Sequence, residues 1–347
     1  MMSAPKDNEI KNSRTSEGQN PRLSVDAVPA AARRIAPFIH RTPIIESHLL
    51  NAWLGHEIIF KVEGLQKVGA FKIRGALNAL LAAKEENKLP KEIIAFSSGN
   101  HAQAVALAAK LLGIKATIIM PKFVSKVKQQ ATRRYGANII LTDTRQETEA
   151  LAAEKQQQGM WLLHPSDNDR VIAGQGTACL EALQDGVNPN AIFATCGGGG
   201  LLSGTYLAAQ ALAPKAKVFG GEPKMGNDAA ESYRTGKIVT LPDTPMTIAD
   251  GARTLHISER TFAYLQKLAG FYEIPERDII YWTQWLSHLL KVSVEPTSAV
   301  AMAAAFEWLK TQKNKQRVLV ILSGGNVDAD TQRQIWEKDY LGQIPAL

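Results

Sequence analysis

Apolar and polar residues follow two rhythms along this chain. Short runs rich in Ile, Val, Phe and Ala read as strands: Ile93–Phe96, Ala116–Met120, Asn138–Leu141, Trp161–Leu163, Ala191–Thr195, Lys217–Gly221 and Arg317–Leu322. Between them lie segments with helical apolar spacing, His101–Leu112, Ser125–Tyr135, Glu147–Gln158, Thr177–Leu183 and Leu201–Leu212. The punctuation agrees, since Gly113 and Gly136 end two of the helices and Pro121 stops a strand. Ahead of them Ser24–Ile39 reads as a helix with Ser24 as its cap. Alternating strands and helices predict parallel sheets covered on both faces. Polar breaks at Glu85–Pro90 and Pro165–Asn168 bracket a smaller unit. The expectation is an α/β protein of two lobes, each an open, mostly parallel sheet with helices on both faces. Residues 91–165 form the small lobe, and 23–90 with 166–347 the large one. Residues 1–22 are polar and read as a disordered tail.

Composition narrows the classes. The chain has 347 residues, 45% of them hydrophobic, enough for large cores. Lys plus Arg number 40 against 33 Asp plus Glu, but the excess is scattered, with no basic stripe interleaved with aromatics. Nucleic acid is therefore not expected as a partner. No apolar run reaches membrane-spanning length and the N-terminus has no signal-peptide core, so no membrane is expected and the location reads as cytoplasmic. Cys179 and Cys196, the two cysteines, carry neither a disulfide framework nor a zinc spacing, and read as buried thiols.

The chemistry centres on Lys72, in Gln66-Lys67-Val68-Gly69-Ala70-Phe71-Lys72-Ile73-Arg74-Gly75-Ala76, where a helical pattern begins. A lysine between an aromatic and a β-branched residue suits a buried amine, and a desolvated amine is a nucleophile toward carbonyls. Gly197-Gly198-Gly199-Gly200 stands between a strand and a helix, where consecutive backbone N–H groups and the helix dipole can hold an anion. It has neither P-loop nor dinucleotide-fold spacing. Ser97-Ser98-Gly99-Asn100-His101 also follows a strand and opens a helix, which fits either a carboxylate site or an ordinary cap. With Ser323-Gly324-Gly325-Asn326 as a ring partner, these segments point to pyridoxal phosphate held on Lys72 as a Schiff base.

In these segments the chain resembles a fold-type II pyridoxal-phosphate enzyme, tryptophan synthase β-like in fold. It is most similar to the catabolic threonine/serine dehydratase and serine racemase group. The likeness runs through Lys61-Val62-Glu63, Gln66 to Ala76, Ser97 to Gln103, Ala173 to Thr177, Gly197 to Leu201, Gly221-Glu222-Pro223, Val294-Glu295-Pro296 and Ser323 to Asp328, in the family's order. It implies that Lys72 carries the cofactor and then serves as the base at Cα. Gly197, Gly198, Gly199, Gly200 and Leu201 would bind its phosphate, Asn100 its ring hydroxyl, Phe71 its ring and Ser323 its pyridine nitrogen, with Glu295 in support. Ser97, Ser98, Asn100 and His101 would surround the substrate carboxylate. The activity implied is β-elimination of L-threonine and L-serine to 2-oxobutyrate or pyruvate plus ammonia.

The resemblance also carries alternatives. Ser98 stands where serine racemases and hydroxyaspartate dehydratases have a serine, a second base on the face opposite Lys72. Arg145 fits an arginine that approaches the substrate side chain in those enzymes. Val68 and Ala70 replace the commoner Thr and Ser, a form found in hydroxyaspartate dehydratases. Serine racemase and threo-3-hydroxyaspartate dehydratase are therefore the alternatives on this scaffold. A non-catalytic nucleotide-binding regulator is the alternative from another class. Glu222, Gly226 and Asp228 match the family's Mg²⁺ or Ca²⁺ site. Lys67, Gln103, Lys128 and Tyr135 match an ATP effector site, and a homodimer is implied.

Overall fold

The structure, a computed structural model, describes residues 23–347 except Ser98 and residues 123–125, and leaves aside the side chains of Lys126, Val127, Lys128 and Arg145. The chain opens with α1 (Ala27–Ile35), β1 (Ile44–Glu46), α2 (His48–Leu54), β2 (Glu57–Val62) and α3 (Lys72–Glu85). Next come β3 (Glu92–Phe96), α4 (Asn100–Leu112), β4 (Lys115–Pro121), α5 (Lys126–Arg134), β5 (Asn138–Thr142), α6 (Arg145–Gln157) and β6 (Trp161–Leu162). The remainder is α7 (Asp169–Gln184), β7 (Ala191–Thr195), α8 (Gly200–Leu212), β8 (Lys217–Pro223), α9 (Asp228–Thr235), α10 (Glu259–Leu265), β9 (Gly270–Ile274), α11 (Glu276–Leu290), α12 (Pro296–Leu309), β10 (Arg317–Leu322) and α13 (Ala329–Ile335).

Two sheets organise these elements. One has the order β1-β2-β10-β7-β8-β9, the other β5-β4-β3-β6. Every pairing is parallel except β1 with β2. The expected α/β class with two mostly parallel sheets is therefore found. Both faces of the larger sheet are apolar, as a parallel sheet covered by helices requires: Phe60, Phe193 and Val320 pack toward α11 and α12, while Ile59, Ile192 and Ile321 pack toward α7 and α8. A third core joins β3 and β4 to α3 and α4.

Helix α7 holds the centre. Asn168 caps it, its side chain accepting from the Arg170 and Val171 amides. Its glycines allow backbone-to-backbone crossings, since a Cβ on Gly176 would stand 2.4 Å from the Gly204 carbonyl oxygen of α8.

One expectation shifts and one helix went unread. Helix α1 starts at Ala27, and Ser24 accepts from the Asp26 amide rather than capping the helix. Helix α12 carried no readable period because it is buried almost all round, from Pro296 to Ala305, so no amphipathic stripe marks it.

Candidate active site

The site forms where β10, β7 and β3 end. Their carboxyl ends lead into Ser323, Cys196 and Ser97, as ligand sites of open parallel sheets require. Lys72 is the first residue of α3. The strand–turn geometry before it is constrained: Val68 adopts φ 61°, Ala70 bridges Gly324, and the Phe71 amide donates to the Ser323 carbonyl at 3.0 Å. Lys72 Nζ lies 4.9 Å from the centroid of the Phe71 ring and 3.5 Å from the Pro165 carbonyl oxygen. Burial pulls its pKa down to about 8, against a smaller opposing pull from Glu295. Roughly a tenth of free Lys72 is thus a neutral amine at pH 7, far more than of an ordinary lysine.

The segment Leu163–Asp167 bridges this lysine to the glycine loop. His164 Nδ1 accepts from the Ser166 and Asp167 amides at 3.2 and 2.7 Å, closing a turn that presents the Pro165 carbonyl to Lys72. Burial, with the Lys72 charge adding to it and Asp167 opposing, lowers the His164 pKa to about 4, so the ring is neutral. Ser166 faces the glycines. A Cβ on Gly198 would sit 2.4 Å from Ser166 Oγ, one on Gly197 2.7 Å from the Gly251 carbonyl oxygen, and one on Gly199 2.9 Å from Thr261 Cβ. Gly199 takes φ +81°. No side chain among the described residues caps α8 at this end, so its first amides and dipole are left directed at the glycine loop. The cradle, the desolvated amine one segment away and the hydroxyl of Ser323 together fit a phosphorylated aldehyde.

A polar junction ties α4 to the larger sheet. Asn100 Nδ2 donates to both Glu295 carboxylate oxygens, at 3.3 and 3.0 Å, while its Oδ1 accepts from Asn326 Nδ2 at 2.8 Å. Ser323 Oγ donates to Glu295 Oε1 at 3.3 Å and lies 3.0 Å from Ser298 Oγ. Ser298 in turn accepts from the Gly324 amide. Ser298, His164 and Ser166 were not expected from the sequence. Only Ser166 fell in a segment with a local sign, the polar break Pro165–Asn168, and the contacts of Ser298 and Ser166 span more than 20 residues.

Other expected residues fall as follows. Ser97 is half-buried at the end of β3, its Oγ accepting from the Gly99 amide. His101 is buried, and Nε2 donates to the Leu163 carbonyl at 2.8 Å. Its pKa falls to about 3 through burial, so the ring is neutral, with Nδ1 as its acceptor nitrogen and no partner there among the described residues. The side chain therefore anchors the bridging segment. Ser98, and the side chains of Arg145 and Lys128, lie outside the described residues. Lys67 Nζ donates to the Phe38 carbonyl at 2.6 Å, Gln103 is buried and Tyr135 half-buried; α4 packs against both the Lys67–Gly69 turn and α5.

Glu222 ends β8 and Asp228 opens α9, both fully buried. Glu222 accepts from the Ala229 and Ala230 amides at 3.3 and 2.9 Å, and Asp228 Oδ2 has no partner among the described residues. Burial raises both pKa values, Glu222 well above the carboxylate range with Asp228 adding to it, and Asp228 to about 7. No cluster of three or more His, Cys, Asp or Glu is found there among the described residues, so any cation would need backbone oxygens and water besides. Cys179 and Cys196 are buried free thiols, and burial raises the pKa of each. No described helix is long and apolar enough to cross a membrane.

The fold and site define a two-sheet α/β protein in which a half-buried lysine of lowered pKa stands near a glycine loop at the strand ends. A family model described as "pyridoxal-phosphate dependent enzyme" matches residues 35–324, and the chain belongs to that family. It is 45% identical to L-threo-3-hydroxyaspartate ammonia-lyase of Saccharomyces cerevisiae over 86% of this chain and 91% of that one. Serine racemase of Schizosaccharomyces pombe is 42% identical, over 88% and 94%. The crystal structure of a T.th. threonine deaminase superposes with a TM-score of 0.82 at 43% identity, covering 88% of this chain and 99% of that one. The protein is accordingly an enzyme of the pyridoxal-phosphate-dependent ammonia-lyase and racemase group.

Proposed function

We propose that this enzyme is an ammonia-lyase for L-threo-3-hydroxyaspartate, releasing oxaloacetate and ammonia, with L-serine as a secondary substrate converted to pyruvate. This places hydroxyaspartate ahead of the threonine and serine expected first from the sequence. The observation that carries the chemistry is the approach of Lys72, with its lowered pKa, to the Pro165–Ser166 segment that walls the glycine cradle. The likeness to a hydroxyaspartate ammonia-lyase supports the substrate, and so does the Val68-Gly69-Ala70 form.

Pyridoxal phosphate, when bound, supplies a carbonyl for the substrate amine and an electron sink that weakens the Cα–H bond. Lys72 would hold it, and Gly197–Gly200 with the α8 amides would fix its phosphate. Asn100, kept in place by Glu295 and Asn326, would orient its ring, and Ser323 would face the ring nitrogen with a neutral hydroxyl. Lys72 Nζ, once released by substrate, takes the Cα proton. Neutral His101, buried, and His164, half-buried, hold the Leu163–Asp167 turn and add no competing charge beside the amine. Ser97 and the α4 amides would bind the α-carboxylate, and Arg145 the second carboxylate.

Purified enzyme assayed for 2-oxo acid release should favour L-threo-3-hydroxyaspartate over L-serine and L-threonine by about tenfold or more in kcat/KM, as a charge-assisted contact to a second carboxylate provides. L-Threonine as the best substrate would overturn the assignment. The likeness to a serine racemase favours a second activity, interconversion of L- and D-serine, with Ser98 as the opposite-face base. Ser98→Ala should then suppress racemisation more than elimination, and equal losses count against that role. The reading extends to a divalent cation at Glu222, Asp228 and the Gly226 carbonyl, for which the unpartnered Asp228 oxygen is the support. A homodimer and an ATP effector bound around α4 belong to the same reading; sedimentation and ATP-dependent kinetics test them.

A further inference from the structure

Directly behind Lys72 lies a buried charge network with no part in the chemistry described so far. Arg74 spends all five guanidinium N–H groups on protein. Nε and Nη2 donate to the two Glu63 oxygens at 2.6 and 2.8 Å. Nη1 and Nη2 donate to the two Glu181 oxygens at 2.7 and 2.8 Å, and Nη1 also donates to Thr177 Oγ1 at 3.2 Å. Lys61 Nζ completes the set, donating to Glu181 Oε2 at 2.6 Å and to the Thr42 carbonyl at 2.7 Å. Lys61, Glu63 and Arg74 are wholly excluded from solvent. Two positive and two negative side chains balance.

Such a network is a poor source of stability, because packed apolar side chains of similar volume serve as well or better. What it does supply is fixed geometry. It acts on the turn that needs it, because α3 begins at Lys72 and no side chain of the adjoining residues caps it. Helix α7 reaches this turn from the side. Gln175 Oε1 accepts from the Gly75 amide at 3.1 Å. Gly75 and Gly174 let the two backbones meet, for a Cβ on Gly75 would stand 2.4 Å from Gln175 Nε2 and one on Gly174 2.6 Å from the Arg74 carbonyl oxygen. Gln175, Thr177 and Glu181 of α7 thus grip residues 74 and 75, within the same helical turn as Lys72.

We propose that Arg74, through Glu63 and Glu181, and Gln175, through the Gly75 amide, are positioning residues that fix the first turn of α3 and thereby aim and desolvate Lys72 for the cofactor. This rests on Lys72 being the cofactor lysine. A small rotation of α3 would swing Nζ away from the Pro165 carbonyl and toward water, and misplacement of a reacting group by about 1 Å costs as much as a hundredfold in rate.

The test uses Gln175→Met, which keeps the bulk and loses the acceptor, and Thr177→Val, a milder change that withdraws one Arg74 contact. In the holoenzyme, kcat should fall about tenfold for Gln175→Met with KM nearly unchanged. After cofactor removal, amine labelling of Lys72 followed by peptide mass spectrometry should give a pH midpoint near 8 in the parent enzyme, and a higher one in the variants. Should the variants melt earlier yet keep kcat, KM and the labelling midpoint, the network is merely structural and the proposal falls. Should Gln175→Met not fold, the Thr177→Val midpoint decides. Borohydride reduction of the holoenzyme separates the two readings. A tag elsewhere than Lys72 overturns the lysine assignment and the clamp with it, whereas a tag on Lys72 with unmoved midpoints overturns the clamp alone.

Discussion

The molecule buries charge in two opposite ways. Around Arg74, two cations and two carboxylates close on one another and every guanidinium N–H is used. Around Asp228, two carboxyl groups lie together in the interior with one oxygen unpartnered among the described residues, and burial pushes both pKa values up. The first is complete as folded and can only hold position, while the second sets two carboxyl groups together without a salt bridge among the described residues and is the proposed cation site. The contrast separates two uses of buried charge, one balanced within the protein and one left for the proposed cation.

Breaking the balanced cluster should cost most. Arg74→Leu strips Glu63 of its cation and leaves Lys61 alone against two buried carboxylates, and a loss of about 3–5 kcal/mol in unfolding free energy is expected by denaturant titration. A loss below about 1 kcal/mol would mean that the cluster is hydrated and not a closed network. Chelation comes next. The holoenzyme in Mg²⁺ at a hundredfold its dissociation constant should be stabilised by about 2.7 kcal/mol relative to enzyme in excess chelator, and Asp228→Asn should abolish the difference. An identical Mg²⁺ response in Asp228→Asn would remove the proposed cation from this pair.

A third experiment sharpens the contrast through pH. The folded carboxylates of Glu222 and Asp228 have raised pKa values, so the native state holds protons that the unfolded chain, with carboxylates near pH 4, gives up. In chelator the melting temperature should therefore fall as pH rises from about 4 through about 7. Mg²⁺ should flatten that slope, while the balanced Arg74 cluster contributes little over the same range. The smallest effect concerns Lys72, whose lowered pKa makes the free amine about half neutral near pH 8. The rate at which cofactor-free enzyme takes up pyridoxal phosphate should climb up to about tenfold per unit below that pH and level off above it. Levelling only near pH 10 would mean that Lys72 is solvated.

Much of this was legible in the sequence, and the reasons are particular. Strand β7 running into Gly197–Gly200 and then α8 was readable because a glycine run at a strand end has few other uses. Lys72 stood out by its flanks, and Gly113 and Gly136 marked their helix ends because an αL cap favours glycine. Helix α12, buried on nearly every side, showed no period. Strand β1 is only three residues and pairs antiparallel at an edge, which no local pattern announces. His101 looked like a substrate contact beside Asn100, yet the helix turns its ring inward to the Leu163 carbonyl.

By itself the sequence determined the alternation of elements, the glycine cradle and the lysine, because each is encoded in residues close together in the chain. Only the tertiary structure decided the partners: that Glu295 and Asn326 grip Asn100, that Ser166 walls the cradle, that Glu181 balances Arg74 while Asp228 is left unbalanced. Those outcomes depend on which side chains meet across 20 to 230 residues of chain and on the removal of water from between them. Both come from packing the sheets together, and no local spacing encodes them.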